Sequence, residues 1–232
     1  MENKTGKYFK YAIGEIILVV IGILIALQIN NWNEEKKNNK IEISILRELL
    51  SDSKTNLASL EEDIDLNRKA IQSNLLITDF LTNGKTYHDS LDLHFGFIQY
   101  NTYFTINTGG FENLKSRGFE YISNDTLRKS VIDLYDRWYD FVDDLGDRNN
   151  KISNEQFNPK YRAFFKYYKR VLMENYVSFT PANYNALINN EDFLKLLYEQ
   201  KYNNEFNIQA LESTIMEVMA LIASLETELK NN

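Results

Sequence analysis

Residues 12–29 read AIGEIILVVIGILIALQI, the one stretch of the chain too apolar to be exposed to water. As a helix this stretch would rise about 27 Å, close to the hydrocarbon thickness of a bilayer. Aromatic residues, whose rings favour the membrane interface, flank it on both sides: Tyr8, Phe9, Tyr11 and Trp32. The pattern predicts a transmembrane helix over residues 12–31, preceded by a short tail of residues 1–11.

A cleaved signal peptide would share the basic start and the apolar middle of this segment. The apolar run is too long for one, however, and residues 30–35, NNWNEE, offer no small residue for cleavage. Lysines are balanced on the two sides of the span, but Glu34 and Glu35 favour a cytoplasmic N-terminus. We therefore expect a single-pass membrane protein with residues 32–232 outside the cytoplasm, which in a bacterium means an inner-membrane protein with its domain in the periplasm.

The composition of the 232-residue chain favours an all-α fold. It has only 2 Pro and 9 Gly, and 44% of its residues are hydrophobic. Its net charge of −7 argues against nucleic acid as a partner, since no basic stripe is present to neutralise phosphates. The absence of cysteine excludes disulfides and thiolate metal sites, and it fits either a cytoplasmic or a periplasmic domain.

A heptad seam follows the predicted span. Apolar and small polar residues step alternately by three and four from Ile43 to Leu81, and they include the stalk residues Leu50, Leu57, Leu60, Ile64 and Ile71. Traced backwards, the same phase passes through Gly22 and Glu15. Two interpretations stay open: an inter-subunit coiled coil, or a long helix packed against its own domain.

The C-terminal region repeats this spacing from Leu194 to Leu229. We expect an antiparallel stalk made of residues 33–82 and 191–230. Residues 85–190 are rich in Tyr, Phe and Trp, and we expect them to form a compact helical head.

Within the head, the segment from Asp89 to Thr105 fits both a helix and a strand, and helix is favoured because no second strand is evident. Gly84 and Gly118 are expected to end helices, and Asn124 to begin one that runs to Gly146. Pro159 is expected to begin a further helix with an aromatic row: Tyr161, Phe164, Phe165, Tyr168 and Leu172.

Glu15, Gly22 and Ala26 are the candidate membrane-interface residues. At about 3.6 residues per turn the three lie within roughly 20° of one line, so the carboxylate shares its face with small residues that permit close helix approach in lipid. The alternative is that Glu15, about one turn inside the span, reaches back to the headgroups.

No catalytic motif is apparent, and we expect no enzymatic activity, cofactor or metal. His88 and His94 are the only histidines in the sequence. Their spacing does not place them on one helical face with an acidic third ligand nearby, as a metal site would require. A nucleophile elbow, a P-loop and a dinucleotide fingerprint are all missing from the sequence.

Residues 7–34, KYFKYAIGEIILVVIGILIALQINNWNE, resemble the opening of a family of unknown function found in Bacteroidota envelopes. Residues 111–116, FENLKS, and 123–128, SNDTLR, resemble the middle motif of that family. The resemblance implies a single-pass membrane protein and supplies no activity, cofactor or catalytic residue.

The favoured function is therefore that of a membrane-anchored structural or interaction protein of the cell envelope. It would act by self-association or by docking on another envelope protein, with membrane lipid around its anchor. One alternative is a sensory module that signals through one span. Another is a small ion-conducting oligomer, which only Glu15 suggests.

Overall fold

The computed structural model describes residues 4–101, 105–171 and 176–231. It is 84% helical, which confirms the predicted all-α class. The α-helices are α1 (Lys4–Thr82), α2 (Leu91–Ile98), α3 (Gly109–Arg117), α4 (Asp125–Asp133), α5 (Asp140–Ile152), α6 (Asn158–Arg162) and α7 (Glu191–Asn231). Two π-helical segments (Leu134–Tyr139 and Ser153–Phe157), two 3₁₀ turns (Phe119–Tyr121 and Tyr184–Leu187) and one hairpin of β1 (Phe165–Val171) and β2 (Tyr176–Pro181) complete the described structure.

Helices α1 and α7 form an antiparallel pair that runs the length of the soluble region. Lys54 of α1 bonds Glu226 near the end of α7 at 2.7 Å, while Asn74 donates to the carbonyl oxygen of Leu197 near its start at 2.7 Å. The heptad seam thus packs against the chain's own last helix, as the second interpretation of that seam proposed.

Two apolar cores lie along this pair. The proximal core, nearer the N-terminus, joins α1 and α7 to residues 111–142 and contains Leu60, Ile64, Leu211 and Val218. The distal core joins the other end of the pair to α2, α6 and the hairpin, and is centred on Tyr161 and Phe193. The segment expected in the head therefore divides between the two cores, and residues 111–142 pack along the stalk.

Several predicted helix ends are confirmed. Gly84 has φ +59° and follows α1, and Gly118 has φ +118° and follows α3. Asn124 begins α4, where its side-chain oxygen accepts from the backbone N–H groups of Thr126 and Leu127 at 3.1 and 3.2 Å. The ambiguous segment after Asp89 forms the helix α2, which ends at Ile98.

The predicted end at Gly146 is wrong, because α5 runs on to Ile152 and the helical path continues through the π-helical segment Ser153–Phe157 to Arg162. Glycine inside a helix costs about 1 kcal/mol relative to alanine. Gly146 is itself buried, and the apolar packing of Val142 and Leu145 beside it offsets that cost.

The aromatic helix predicted from Pro159 is also wrong, because α6 ends at Arg162 and the hairpin begins at Phe165. Tyr168 pairs with Phe179 across the two antiparallel strands. Aromatic and β-branched residues on both strands favour this pleated pairing over a helix. Leu172, the last residue of the predicted row, lies outside the described residues.

Candidate functional site

The N-terminal part of α1 stands apart from the rest of the described chain. From Ile13 to Lys40 no side chain is buried, and packing begins with Ile41 and Glu42. Large apolar side chains in this segment are 44–71% exposed. An uncovered helix of this kind requires either an apolar solvent or a partner, because no described residue of the chain covers its apolar surface.

Among the described residues, two helices are long and apolar enough to cross a membrane, judged by length and composition alone. The window in α1 has a mean hydropathy of 2.3 and is 0% buried, whereas the window in α7 has 1.4 and is 33% buried. Since α7 contributes to both cores, α1 holds the stronger candidate span.

The three candidate membrane-interface residues Glu15, Gly22 and Ala26 all lie on this free segment and are exposed. A methyl group built on Gly22 would meet no atom within 4 Å. The unbroken helix keeps the three residues on one face, as the spacing predicted.

The stalk residues lie in the interface between α1 and the rest of the domain. Leu60 and Ile64 are buried in the proximal core, and Leu50 and Leu57 are half-buried against it. Ile71 is half-buried.

The middle motif and the residues just before it contact a row of polar side chains on α1 that no sequence pattern marked. Glu42 accepts both the backbone N–H and the hydroxyl of Ser123 at 2.8 Å, and it is only 6% exposed. Further along α1, Asp52 accepts the N–H of Gly110 at 2.7 Å. Asn56 exchanges two hydrogen bonds with the backbone of Asn107, at 2.8 and 3.0 Å. These contacts attach the start of α3, the residues before it and the residues before α4 to the first helix.

Beneath this attachment, two tyrosines of the first π-helical segment enter the core. The ring of Tyr135 stacks on Phe111 with centroids 4.3 Å apart, and Tyr139 meets Tyr135 edge-on at 5.0 Å. Burial raises the pKa of both phenols, that of Tyr139 to about 12, and Ser53 and Asn56 opposite them offset only part of this effect. Both hydroxyls therefore stay protonated at physiological pH.

An open groove of about 480 Å³ lies over these two rings, between α3 and the helical residues 135–143. One lysine and four carboxylates contribute to its lining: Lys115, Glu112, Asp136, Asp140 and Asp143. Its acidic rim could attract a cation. Among the described residues, however, no three His, Asp or Glu side chains come close enough to hold a metal ion.

A polar layer separates the two apolar cores. Tyr100 donates its hydroxyl to Asp63, and Asn149 bonds Asn207 at 2.7 Å. Gln200 donates to the backbone carbonyl of Tyr100 at 3.1 Å. Such satisfied polar layers fix the register of packed helices, since slippage would leave their groups unpaired.

Asp63 is the titratable group of this layer. Burial raises its pKa to about 6, an effect that the Tyr100 hydroxyl opposes and the neighbouring Glu62 reinforces. The one sequence signal for Asp63 is its position next to the seam residue Ile64. Its partner Tyr100 lies in a loop 37 positions away, so no local spacing indicates their contact.

His94, which the sequence analysis assigned no function, bonds through Nδ1 to the hydroxyl of Ser73 at 2.9 Å. Burial lowers the pKa of His94, which favours its neutral form. His88 bonds Ser90 at 3.0 Å on the surface. Both contacts are local, and the two rings belong to no common cluster in the described structure.

Comparison with known proteins gives one match. No curated protein and no solved structure matches the chain. A family model matches residues 15–197, from the apolar segment through both cores to the first turns of α7. That match includes the middle motif and the polar side chains of α1 that hold it. The chain therefore belongs to DUF6090, a family of unknown function.

Proposed function

We propose that this protein is a membrane-anchored interaction protein of the bacterial cell envelope, acting by self-association or by docking on an envelope partner. The supporting observation is the free segment of α1, whose apolar side chains from Ile13 to Ile29 are covered by nothing in the described part of the chain. A bilayer supplies that cover, because an 18-residue apolar helix matches its thickness of about 30 Å.

The continuity of α1 supports a rigid display of the domain. The helix runs unbroken from Lys4 to Thr82, so no flexible linker separates the free segment from the cores. Trp32, with the Lys36 ammonium 4.9 Å above its ring, lies at the end of the apolar stretch, where aromatic residues favour the membrane interface. The soluble domain would stand in the periplasm at a defined distance from the bilayer.

The particle mass of the full chain extracted from its native membrane with mild detergent tests this function. We expect a mass above that of one 27.3 kDa chain, from additional copies or from a co-purifying envelope protein. A periplasm-active reporter fused after Asn232 should be active. A soluble chain after alkaline extraction, or a monomer with no co-purifying protein, would contradict the proposal.

A further inference from the structure

The loop that follows α2 contacts four helices through polar groups. We name its three residues, Gln99, Tyr100 and Asn101, the clasp. Arg162 of α6 donates to the side-chain oxygen of Gln99 at 3.0 Å. Asn101 donates its side-chain amide to Asn150 of α5 at 2.9 Å. The two outer residues of the clasp are therefore attached to two different helices.

The middle residue joins the clasp to the antiparallel pair. Tyr100 donates its hydroxyl to Asp63 of α1, and its backbone carbonyl accepts from Gln200 of α7 at 3.1 Å. Four helices thus meet at three consecutive residues, in the polar layer between the two cores. If the clasp leaves its place, all of these contacts are lost together.

Among the helix groups that hold the clasp, the Asp63 side chain is the one that loses a proton in the mildly acidic range. Asp63 is only 7% exposed, and burial raises its pKa to about 6. The Tyr100 hydroxyl opposes this effect and the charge of Glu62 on α1 adds to it. No basic side chain in the described structure compensates the charge of Asp63.

The helices around Asp63 contribute uncharged groups to the buried layer. The buried amides are Asn149 on α5 and Gln200, Asn204 and Asn207 on α7. The charged residues of these helices are exposed or paired with one another towards the surface: Arg68, Asp65 and Glu212; Lys201 and Glu205; Arg148, Lys151 and Arg162. Ionised Asp63 therefore lies in a neutral, poorly hydrated layer.

His94 is the second titratable group near the clasp, since it lies on the helix α2 that leads into it. Burial lowers the pKa of His94, so the packing of α2 is weakened as the pH falls and His94 gains a proton. Asp63 acts in the opposite sense, because its ionisation on a rise in pH disfavours the closed layer. The direction of a pH effect at the clasp therefore tells the two groups apart.

We propose that the clasp is a pH-sensitive device, which fastens the distal core to the proximal core while Asp63 is protonated and loosens when Asp63 ionises. Opening admits water to the carboxylate, and hydration favours its charged form. The closed clasp thus binds the proton more tightly than the open one. The device works within one chain, so it does not rest on the proposed self-association.

The size of the effect follows from the two proton affinities. The pKa of Asp63 is about 6 in the closed clasp and 3.8 when the carboxyl is exposed to water. Linkage then predicts that the ratio of open to closed clasp rises about tenfold between pH 5 and pH 7.

Hydrogen–deuterium exchange of the full chain in detergent, followed by mass spectrometry, measures this opening. The backbone N–H groups of Gln99 and Tyr100 are bonded to the carbonyl oxygens of Gly96 and Phe97 at 3.2 and 2.9 Å, so they exchange only when the turn that carries the clasp opens. Each rate is divided by the intrinsic chemical rate at the same pH. We expect the corrected rate to be about tenfold higher at pH 7 than at pH 5.

Two asparagine substitutions on α1 provide the matched comparison. Asp63→Asn keeps an oxygen that accepts from the Tyr100 hydroxyl but carries no charge, so its corrected rate should be the same at both pH values. Asp65→Asn removes an exposed carboxylate two residues away and should retain the pH response of the parent chain. An equal pH response in the parent chain and in Asp63→Asn would overturn the proposal.

Exchange in the proximal core separates a local device from global unfolding. We expect the clasp to exchange faster than the buried segment of α4 around Leu127 and Val131. Equal corrected rates in the two regions would show that the clasp opens only with the whole protein, and would overturn the proposal. If Asp63→Asn does not fold, the pH profile of the parent chain decides: a rise from roughly pH 4 to pH 6 that levels off near pH 7 supports the device. A flat profile, or a fall with rising pH as His94 would produce, refutes it.

Discussion

Alanine substitution at Gly110 should destabilise the protein, whereas the same change at the adjacent Gly109 should not. A methyl group on Gly110 would lie 2.8 Å from the backbone nitrogen of Leu49 and 3.0 Å from the carbonyl carbon of Glu48. These are backbone atoms inside α1, so they cannot move aside as a flexible side chain would. At Gly109 the nearest atom is Asp52 Oδ2 at 3.6 Å, an ordinary contact.

The magnitude follows from two effects. Overpacking of a close contact costs about 1–3 kcal/mol. Displacing α3 also weakens the 2.7 Å bond from the Gly110 N–H to Asp52, and a hydrogen bond to a charged group contributes about 1.5–3 kcal/mol. Both variants gain up to about 1 kcal/mol in helix propensity, so the difference between them should be about 2–4 kcal/mol.

The assay is thermal unfolding of the full chain in detergent, followed by circular dichroism. At about 2–4 °C per kcal/mol for a chain of this size, Gly110→Ala should melt roughly 4–16 °C below Gly109→Ala. Equal melting temperatures for the two variants would refute the close approach of α3 to α1.

Three further predictions concern the core, the polar layer and the anchor. Leu60→Ala should cost about 3 kcal/mol of unfolding free energy in a urea titration, because Leu60 is fully buried, while Leu75→Ala, at a 50% exposed site, should cost under about 0.5 kcal/mol. Burial raises the pKa of Asp63 to about 6, above the 3.8 of the unfolded chain, so ionisation of Asp63 disfavours the folded state. The free energy of unfolding should therefore fall as the pH rises from about 4 through 6, and Asp63→Asn should flatten this profile. Gly22→Leu and Glu15→Gln should reduce association through the anchor without preventing insertion; if both keep the parent mass and complement a deletion, Glu15 only reaches the headgroups.

The long helices could be predicted because their signals are local and repeated. The heptad seam through Leu60 and Ile64 places apolar side chains on one face, whichever partner covers it. The choice between an intramolecular and an intermolecular partner could not be made from that seam. It depends on the packing of α1 against α7, which brings together residues as far apart in the sequence as Lys54 and Glu226, 172 positions apart.

The hairpin and the helical path through Gly146 were missed because tertiary contacts decide them. Phe165 packs edge-on against Phe95 and Phe179 in the distal core, and this environment stabilises a strand where the spacing alone suggested a helix. The close approach of Gly110 to Leu49 likewise has no local pattern, since it depends on how α3 crosses α1.

Cysteine accessibility in proteoliposomes tests membrane anchoring of the free α1 segment most directly. Val20→Cys lies in the middle of the apolar stretch and Ser51→Cys on the exposed surface of the domain, in a chain that otherwise has no thiol. We expect a polar maleimide to label Ser51→Cys readily in vesicles opened by brief freeze–thaw, and Val20→Cys only after the bilayer is dissolved in denaturing detergent. Labelling of Val20→Cys at the rate of Ser51→Cys in the intact bilayer would contradict a membrane-embedded anchor.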